Sequence, residues 1–328
     1  MPAILYNPHS NIRIDGLRLG IVNNMPDKAL LSTARQFLSV IELAAPDFRV
    51  FVSLFSLPGI ARSDTGKRHL LDNSYRSLAE LKDVGLDAVI VTGTEPRQPN
   101  LKDEPYWDAL ASLFEWIDDE GPSALFSCLA AHAAVLHFDG IERRRLEKKR
   151  FGLFDHAITG HDELTEHLPH SFKVAHSRWN EIPEDALGEN GYRILTESNE
   201  AGADLFVKQR RNLQLFFQGH PEYDTATLGR EYQRDVRRFL MGEREDYPNV
   251  PRGYFNLSEK ELLDRFRARA IKLRDENLME EFPSLANRFP NPQGKSVAAA
   301  IFRAWLLKIA ESKESKAPEA PPLQQIGA

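Results

Sequence analysis

The chain's one cysteine, Cys128, follows the short apolar run SALFS and precedes LAAHAAVLHF, which puts it between a strand end and a helix start. At that junction unpaired backbone N–H groups can stabilise a thiolate and hold an oxyanion during acyl transfer. The competing reading of the segment alone is a buried, inert cysteine. A second group stands in Gly219-His220-Pro221-Glu222-Tyr223, just after the apolar run LQLFFQ. A catalytic thiol needs a nearby base, and the base needs a partner to fix its tautomer; His220 and Glu222 can supply both. By itself that pair reads equally as a polar turn. Together with Cys128 at another strand end it predicts a Cys-His-Glu triad.

Other polar residues are less specific. His132 and His137 fall in the helix predicted after Cys128, and His156, His161, His167, His170 and His176 show no HExxH-like spacing. No metal site is expected, because one thiol and these spacings do not make one. Arg234 and Asp235 belong to a helix predicted from near Thr225, where Arg234 could turn back over the site and grip a carboxylate bidentately. Lys149 in KKRFGLF and Ser177 in AHSRWNE matter only if the fold brings them to the cysteine.

The elements that must position these groups alternate. Leu17 to Val22 reads as a buried strand, and a helix follows through Leu30 to Ile41 with Asp27 as its expected cap. Phe48 to Leu54 is a second strand and GIARSDTGKRH a polar loop. A helix over about Ser74 to Leu81 leads to the strand Leu86 to Thr92, a proline-rich loop, and an amphipathic helix in YWDALASLFEWIDD. Strands are then expected at Phe172 to Ala175, Tyr192 to Thr196, Ala203 to Lys208 and Leu213 to Gln218, with helices in SEKELLDRFRARAIKLRDE and SVAAAIFRAWLLKIA. The rhythm predicts an α/β fold, a three-layer Rossmann-like sandwich whose mostly parallel sheet gathers sites at its carboxyl edge.

With 328 residues, 42% hydrophobic and 27% charged, the chain can bury a sizeable core and is not a disordered one. Its net charge of -6 offers no positive field for a polyanion, so nucleic acid is not an expected partner. A single cysteine excludes an internal disulfide and agrees with a reducing cytoplasm. Neither a basic-then-apolar leader nor an apolar run near the ~18 residues of a membrane span is present, so no export signal or membrane insertion is expected.

Several separated blocks go further: NNMPDK from Asn23, the YW helix from Tyr106, FSCLAAHAAVLHFDGI around Cys128, KRFGLFDH to His156, HSRWNE from His176 and GHPEYDTATLGREYQRD from Gly219. In order and spacing they resemble the homoserine O-acyltransferase family of methionine biosynthesis, which has a class I glutamine-amidotransferase-like fold. The resemblance implies one acyltransferase domain over 1–310, with a core of about 16–242 and a helical extension of about 243–310, while the polar, proline-rich composition of 311–328 predicts a mobile tail. It implies that Cys128 takes the acyl group from an acyl-CoA co-substrate, with His220 as general base and Glu222 orienting it, and passes it to L-homoserine in ping-pong fashion. Lys149, Ser177 and Arg234 match amino-acid-binding positions, and the backbone at Thr94 and Leu129 matches the oxyanion donors. No permanently bound cofactor is implied; a homodimer is.

Two blocks depart from the family pattern. Leu129-Ala130-Ala131-His132 stands where Trp-Gly-Ala-Gln is usual, so His132 alters the pocket beside the thioester. Thr92-Gly93-Thr94-Glu95-Pro96-Arg97 replaces Thr-Gly-Ala-Pro, and Arg97 occupies the position that helps choose the acyl donor. A cation there could pair with the free carboxylate of a succinyl group, which points to homoserine O-succinyl transfer from succinyl-CoA; the other arrangement has Arg97 outward and Glu95 shaping the loop. Acetyl transfer, a serine acceptor, a glutamine-amidotransferase-like cysteine hydrolase and a non-catalytic binding protein remain the alternatives.

Overall fold

The computed structural model of the protein describes residues 4–5, 16–119, 121–284 and 294–316. Its first half runs β1 (Ile4–Leu5), β2 (Leu17–Val22), α1 (Asp27–Ala44), β3 (Val50–Phe55), α2 (Asp64–Asp72), α3 (Leu78–Leu81), β4 (Ala88–Val91), α4 (Trp107–Asp119), β5 (Ser123–Ser127) and α5 (Leu129–Asp139). The second half runs β6 (Arg144–Ile158), β7 (Ser171–Glu181), α6 (Glu184–Glu189), β8 (Arg193–Ile194), β9 (Thr196–Ser198), β10 (Gly202–Ala203), β11 (Leu205–Gln209), β12 (Leu213–Phe217), α7 (Thr227–Leu240), α8 (Leu257–Leu273) and α9 (Gly294–Lys316).

Eight strands form the main sheet in the order β1-β3-β2-β4-β5-β12-β11-β8. It is parallel from β1 to β12 and becomes antiparallel at β11 and β8. The central strands are apolar runs rather than alternating ones because both faces are covered; β4 and β5 are buried at every residue. α5 is buried along most of its length, and its four alanines let it lie close under the sheet. Phe126, Phe206 and Phe216 stack in series on one face, with ring centroids 4.9 and 5.0 Å apart, and each such burial contributes about 1.5–3 kcal/mol. On another face α9 lies against α1, seating Phe302 and Trp305 in the core that Phe37 also fills.

Register decides where chemistry can gather. Val91 pairs with Phe126, and Phe217 with Ser127, so the loops after β4, β5 and β12 leave the sheet side by side. Over that edge lies a four-stranded sheet, β10-β9-β6-β7, whose long β6 and β7 pair antiparallel with a register shift between Arg145 and Arg150.

Several local expectations need correction. Asp27 does not cap α1: Pro26 occupies that position, and the Asp27 carboxylate instead accepts from Ser63 N and Oγ at 2.8 and 2.7 Å and from Arg62 at 3.3 Å. Part of the supposed polar loop GIARSDTGKRH folds as the start of α2, capped by Ser63 Oγ. The helix expected from Ser74 begins only at Leu78, with a Ser77–Glu80 capping box. β6 was not anticipated, since charged side chains interrupt its alternation. The C-terminal helix continues to Lys316, into the stretch read as tail; 317–328 lie outside the described residues.

Candidate active site

Cys128 occupies a sharp turn between β5 and α5 with φ 52° and ψ −113°, a conformation costly for a residue with a Cβ. The turn is held by its own N–H donating to Phe217 O at 2.8 Å and by Ala131 N donating to Cys128 O at 3.0 Å. Leu129 N opens α5 and is one of the first-turn amides that have no partner within the helix. Gly93, at the end of β4, packs so closely there that a Cβ would stand 2.9 Å from Leu129 N. Thr94 and Leu129 share the lining of one small cavity, so the two expected oxyanion donors are brought together. Asn24 steadies this loop, its N–H donating to Thr92 Oγ1 at 2.8 Å and its side chain to Thr92 O at 3.0 Å.

His220 follows β12. Its Nδ1 lies 2.8 Å from Glu222 Oε1, which leaves Nε2 for the Cys128 thiol, a hydrogen-bonding neighbour of the ring. Burial disfavours the imidazolium, yet the charges on Cys128 and Glu222 outweigh it and hold the His220 pKa well above the ordinary histidine range. Glu222 is 4% exposed, with Oε2 accepting from Ser127 Oγ at 3.4 Å. The ring stacks on Tyr223 at 4.0 Å between centroids. The backbone is pinned on both sides: His220 N donates to Ala175 O at 2.9 Å and Gly219 N to the buried Asp204 carboxylate at 2.7 Å.

The upper sheet and α7 add a charged cluster beside this triad arrangement. Ser177 Oγ donates to Glu231 Oε2 at 2.5 Å, while Tyr223 OH donates to Glu231 Oε1 at 2.6 Å. Lys149 Nζ lies 3.3 Å from Asp235 Oδ2 and 4.0 Å from Glu231, and Arg234 Nε donates to Asp235 Oδ1 at 2.9 Å. Burial pushes the Asp235 pKa up, but Lys149 and Arg234 overcome it and the carboxyl stays below its usual range. Thus Lys149, Ser177 and Arg234 do converge. Sequence reasoning missed Glu231 altogether and gave Asp235 no role. Their separation of one helical turn on α7 was the available signal, since such residues share a face.

The donor-loop residues separate. Glu95 pairs with Arg238 of α7 at 2.9 Å, an ion pair that lowers its pKa. The Arg97 side chain is exposed, while its N–H and that of Gln98 donate to Glu104 Oε1 at 2.5 and 2.7 Å. His132 is buried one turn into α5; burial, then Arg178 and Arg143, hold its pKa well below the ordinary value, so the ring is neutral at pH 7.

A cysteine on a sharp turn beside a carboxylate-backed histidine fits many acyl transfers, and likeness to known proteins fixes the family. The homoserine O-succinyltransferase family model matches residues 7–313. The chain belongs to this family. A homoserine O-succinyltransferase of Rhodopseudomonas palustris is 45% identical over 90% of this chain and 88% of its own, and one of Methylorubrum extorquens is 46% identical over the same shares. In fold, a glutamine amidotransferase of Methylobacillus flagellatus superposes with a TM-score of 0.51 over 90% of this chain and 96% of its own, at 13% identity. The family's α/β architecture is therefore of the class I glutamine-amidotransferase type. Among the described residues no helix is long and apolar enough to cross a membrane.

Proposed function

We propose that the protein transfers the succinyl group of succinyl-CoA to the hydroxyl of L-homoserine through a thioester on Cys128. The observation that carries this reading is the Cys128 thiol beside a His220 ring whose far nitrogen is held by Glu222. In the first half-reaction the Cys128 sulfur attacks the thioester carbonyl of the donor. The developing oxyanion faces Leu129 N and the Thr94 backbone, and the carbon–sulfur bond to CoA breaks as His220 protonates the departing thiolate. CoA leaves and the neutral imidazole remains.

Homoserine then enters. Arg234 offers a fork for its carboxylate, and the acidic pair Glu231 and Asp235 favours its ammonium group. Lys149 and Ser177 fix the rest of that cluster. His220 takes the hydroxyl proton as the oxygen attacks the acyl carbon, the bond to Cys128 breaks, and O-succinylhomoserine departs with the imidazolium restored.

Intact-protein mass spectrometry tests this with succinyl-CoA and acetyl-CoA supplied separately, followed by a homoserine chase. A succinyl adduct on Cys128 that disappears as O-succinylhomoserine forms is the expected result. An acetyl adduct chased to O-acetylhomoserine would change the donor, and no adduct from either would remove the thioester mechanism.

A further inference from the structure

Beneath the loop that follows β4 lies a polar group the triad does not use. Arg143, just before β6, donates from Nη2 to Pro99 O at 3.0 Å, but its buried Nη1 has no hydrogen-bond partner among the described residues. The same holds for the Tyr106 hydroxyl and for His132 Nδ1. Tyr106 is 6% exposed and lines the small cavity that Thr94 and Leu129 also line, which places it next to the oxyanion donors. Arg143 lies within electrostatic reach of Tyr106, Glu104, His132 and Cys128 itself. Buried donors without acceptors are uncommon because each costs about 1–3 kcal/mol.

The chemistry of these donors selects a ligand. A guanidinium with a free N–H and a phenol that burial keeps protonated are both hydrogen-bond donors. Glu104, the carboxylate within reach, has Oε1 occupied by the amides of Arg97 and Gln98 while its buried Oε2 has no partner among the described residues, so its single negative charge must be outweighed for an anion to bind. Arg145 and Arg178 add positive charge around Arg143 and His132 respectively. An anion is therefore favoured, and one tethered to Cys128 would lie within reach. Resting on the thioester reading above, we infer that Arg143 and the Tyr106 hydroxyl together bind the free carboxylate of a dicarboxylic acyl group on Cys128. Donor choice then depends on this inner pair, whereas the exposed Arg97 contributes through its backbone to the shape of the loop.

The test is the single-turnover rate of Cys128 acylation, read by CoA release without homoserine, for succinyl-CoA and for butyryl-CoA, which has the same chain length and no carboxylate. Wild type, Arg143→Met, Tyr106→Phe and Arg97→Met are compared. Arg143→Met is expected to lower the succinyl-to-butyryl rate ratio by about 10- to 100-fold and Tyr106→Phe by about 3- to 10-fold, the range for a lost charged and a lost neutral hydrogen bond. Arg97→Met should leave the ratio within about twofold, below the effect of losing one hydrogen bond. Equal slowing of both donors in Arg143→Met, an unchanged ratio, or a selective loss in Arg97→Met alone would overturn the inference. Should Arg143→Met lose its fold by circular dichroism, Tyr106→Phe decides by the same ratio. Wild type that forms no thioester with either donor would instead mark the failure of the thioester reading, and the inference would fall with it.

Discussion

A Cβ on Gly93 would stand 2.9 Å from the amide nitrogen of Leu129, so the loop after β4 and the first turn of α5 touch at the amide that the proposed mechanism assigns to the acyl oxygen. Only a residue without a side chain leaves that amide open. Gly93→Ala should therefore cost about 100- to 1000-fold in the acylation rate, the scale for losing an oxyanion donor. CoA release in a single turnover measures it. A loss under tenfold would mean that Leu129 N does not hold the oxyanion.

The Glu222 carboxylate and the charge on Cys128 both raise the His220 pKa against the opposing effect of burial. A raised folded pKa means that the imidazolium's contribution to stability is fully present below the unfolded value near 6.5 and lost as pH rises through the folded one. Glu222→Gln removes one of the two charges. The alkaline limb of the pH profile for acylation should move to lower pH, with kcat falling by about 100-fold or more as the ring loses its fixed tautomer. A limb that stays in place would show that Glu222 does not govern the histidine.

Strain at Cys128 should be measurable too. Cys128 is, with Ser74 and Arg274, one of three residues other than glycine with positive φ among the described residues. Such a position stores roughly 1–3 kcal/mol, and glycine relieves it at about 0.4–1 kcal/mol of unfolded-state entropy. Of two inactive variants, Cys128→Gly should be the more stable over Cys128→Ala, by about 1 kcal/mol in urea unfolding. The reverse order would place the turn's stability in its packing instead.

Much of this site could be read from apolar runs, because the strand ends that carry Cys128 and His220 are short, buried and flanked by turn residues. The loop after β4 was legible for the same reason. What could not be read is the layer above. β6 is a strand through its pairing with β7, and in RRLEKKRFGLFDHAI alternation fails where charged residues face one another across the register shift. α2 is hidden in a polar stretch because its helix depends on the Ser63 cap and on contact with Asp27 rather than on an apolar stripe. Asp204, Glu231 and Asp235 matter through partners far away in sequence, which no local pattern encodes.

Arg234 has 45% of its side chain exposed and is oriented by Asp235, so it is available to a small acidic ligand without being rigidly buried. Arg234→Ala should raise the KM for homoserine by about 10- to 100-fold, matching a charged hydrogen bond, and leave Cys128 acylation unchanged. Steady-state kinetics beside single-turnover acylation separates the two half-reactions. A matching loss in acylation would assign Arg234 to the donor instead.

Trp305 of α9 is fully buried and donates from Nε1 to Ser123 Oγ at 2.8 Å, while Ser123 itself donates to Leu213 O at 2.5 Å. This anchors the C-terminal helix at the amino end of β5, the end opposite Cys128. Trp305→Ala should cost about 3–5 kcal/mol by opening a cavity, and Trp305→Phe less because it keeps most of the apolar volume. Trp305 meets the sheet at that far end, and only the start of α9 shares a cavity with His220 and Tyr223, so kcat/KM per folded molecule should be unchanged in Trp305→Phe. Urea unfolding with activity normalised to the folded fraction distinguishes the outcomes: a fall in normalised kcat/KM would show that α9 positions the nucleophile as well as supporting the core.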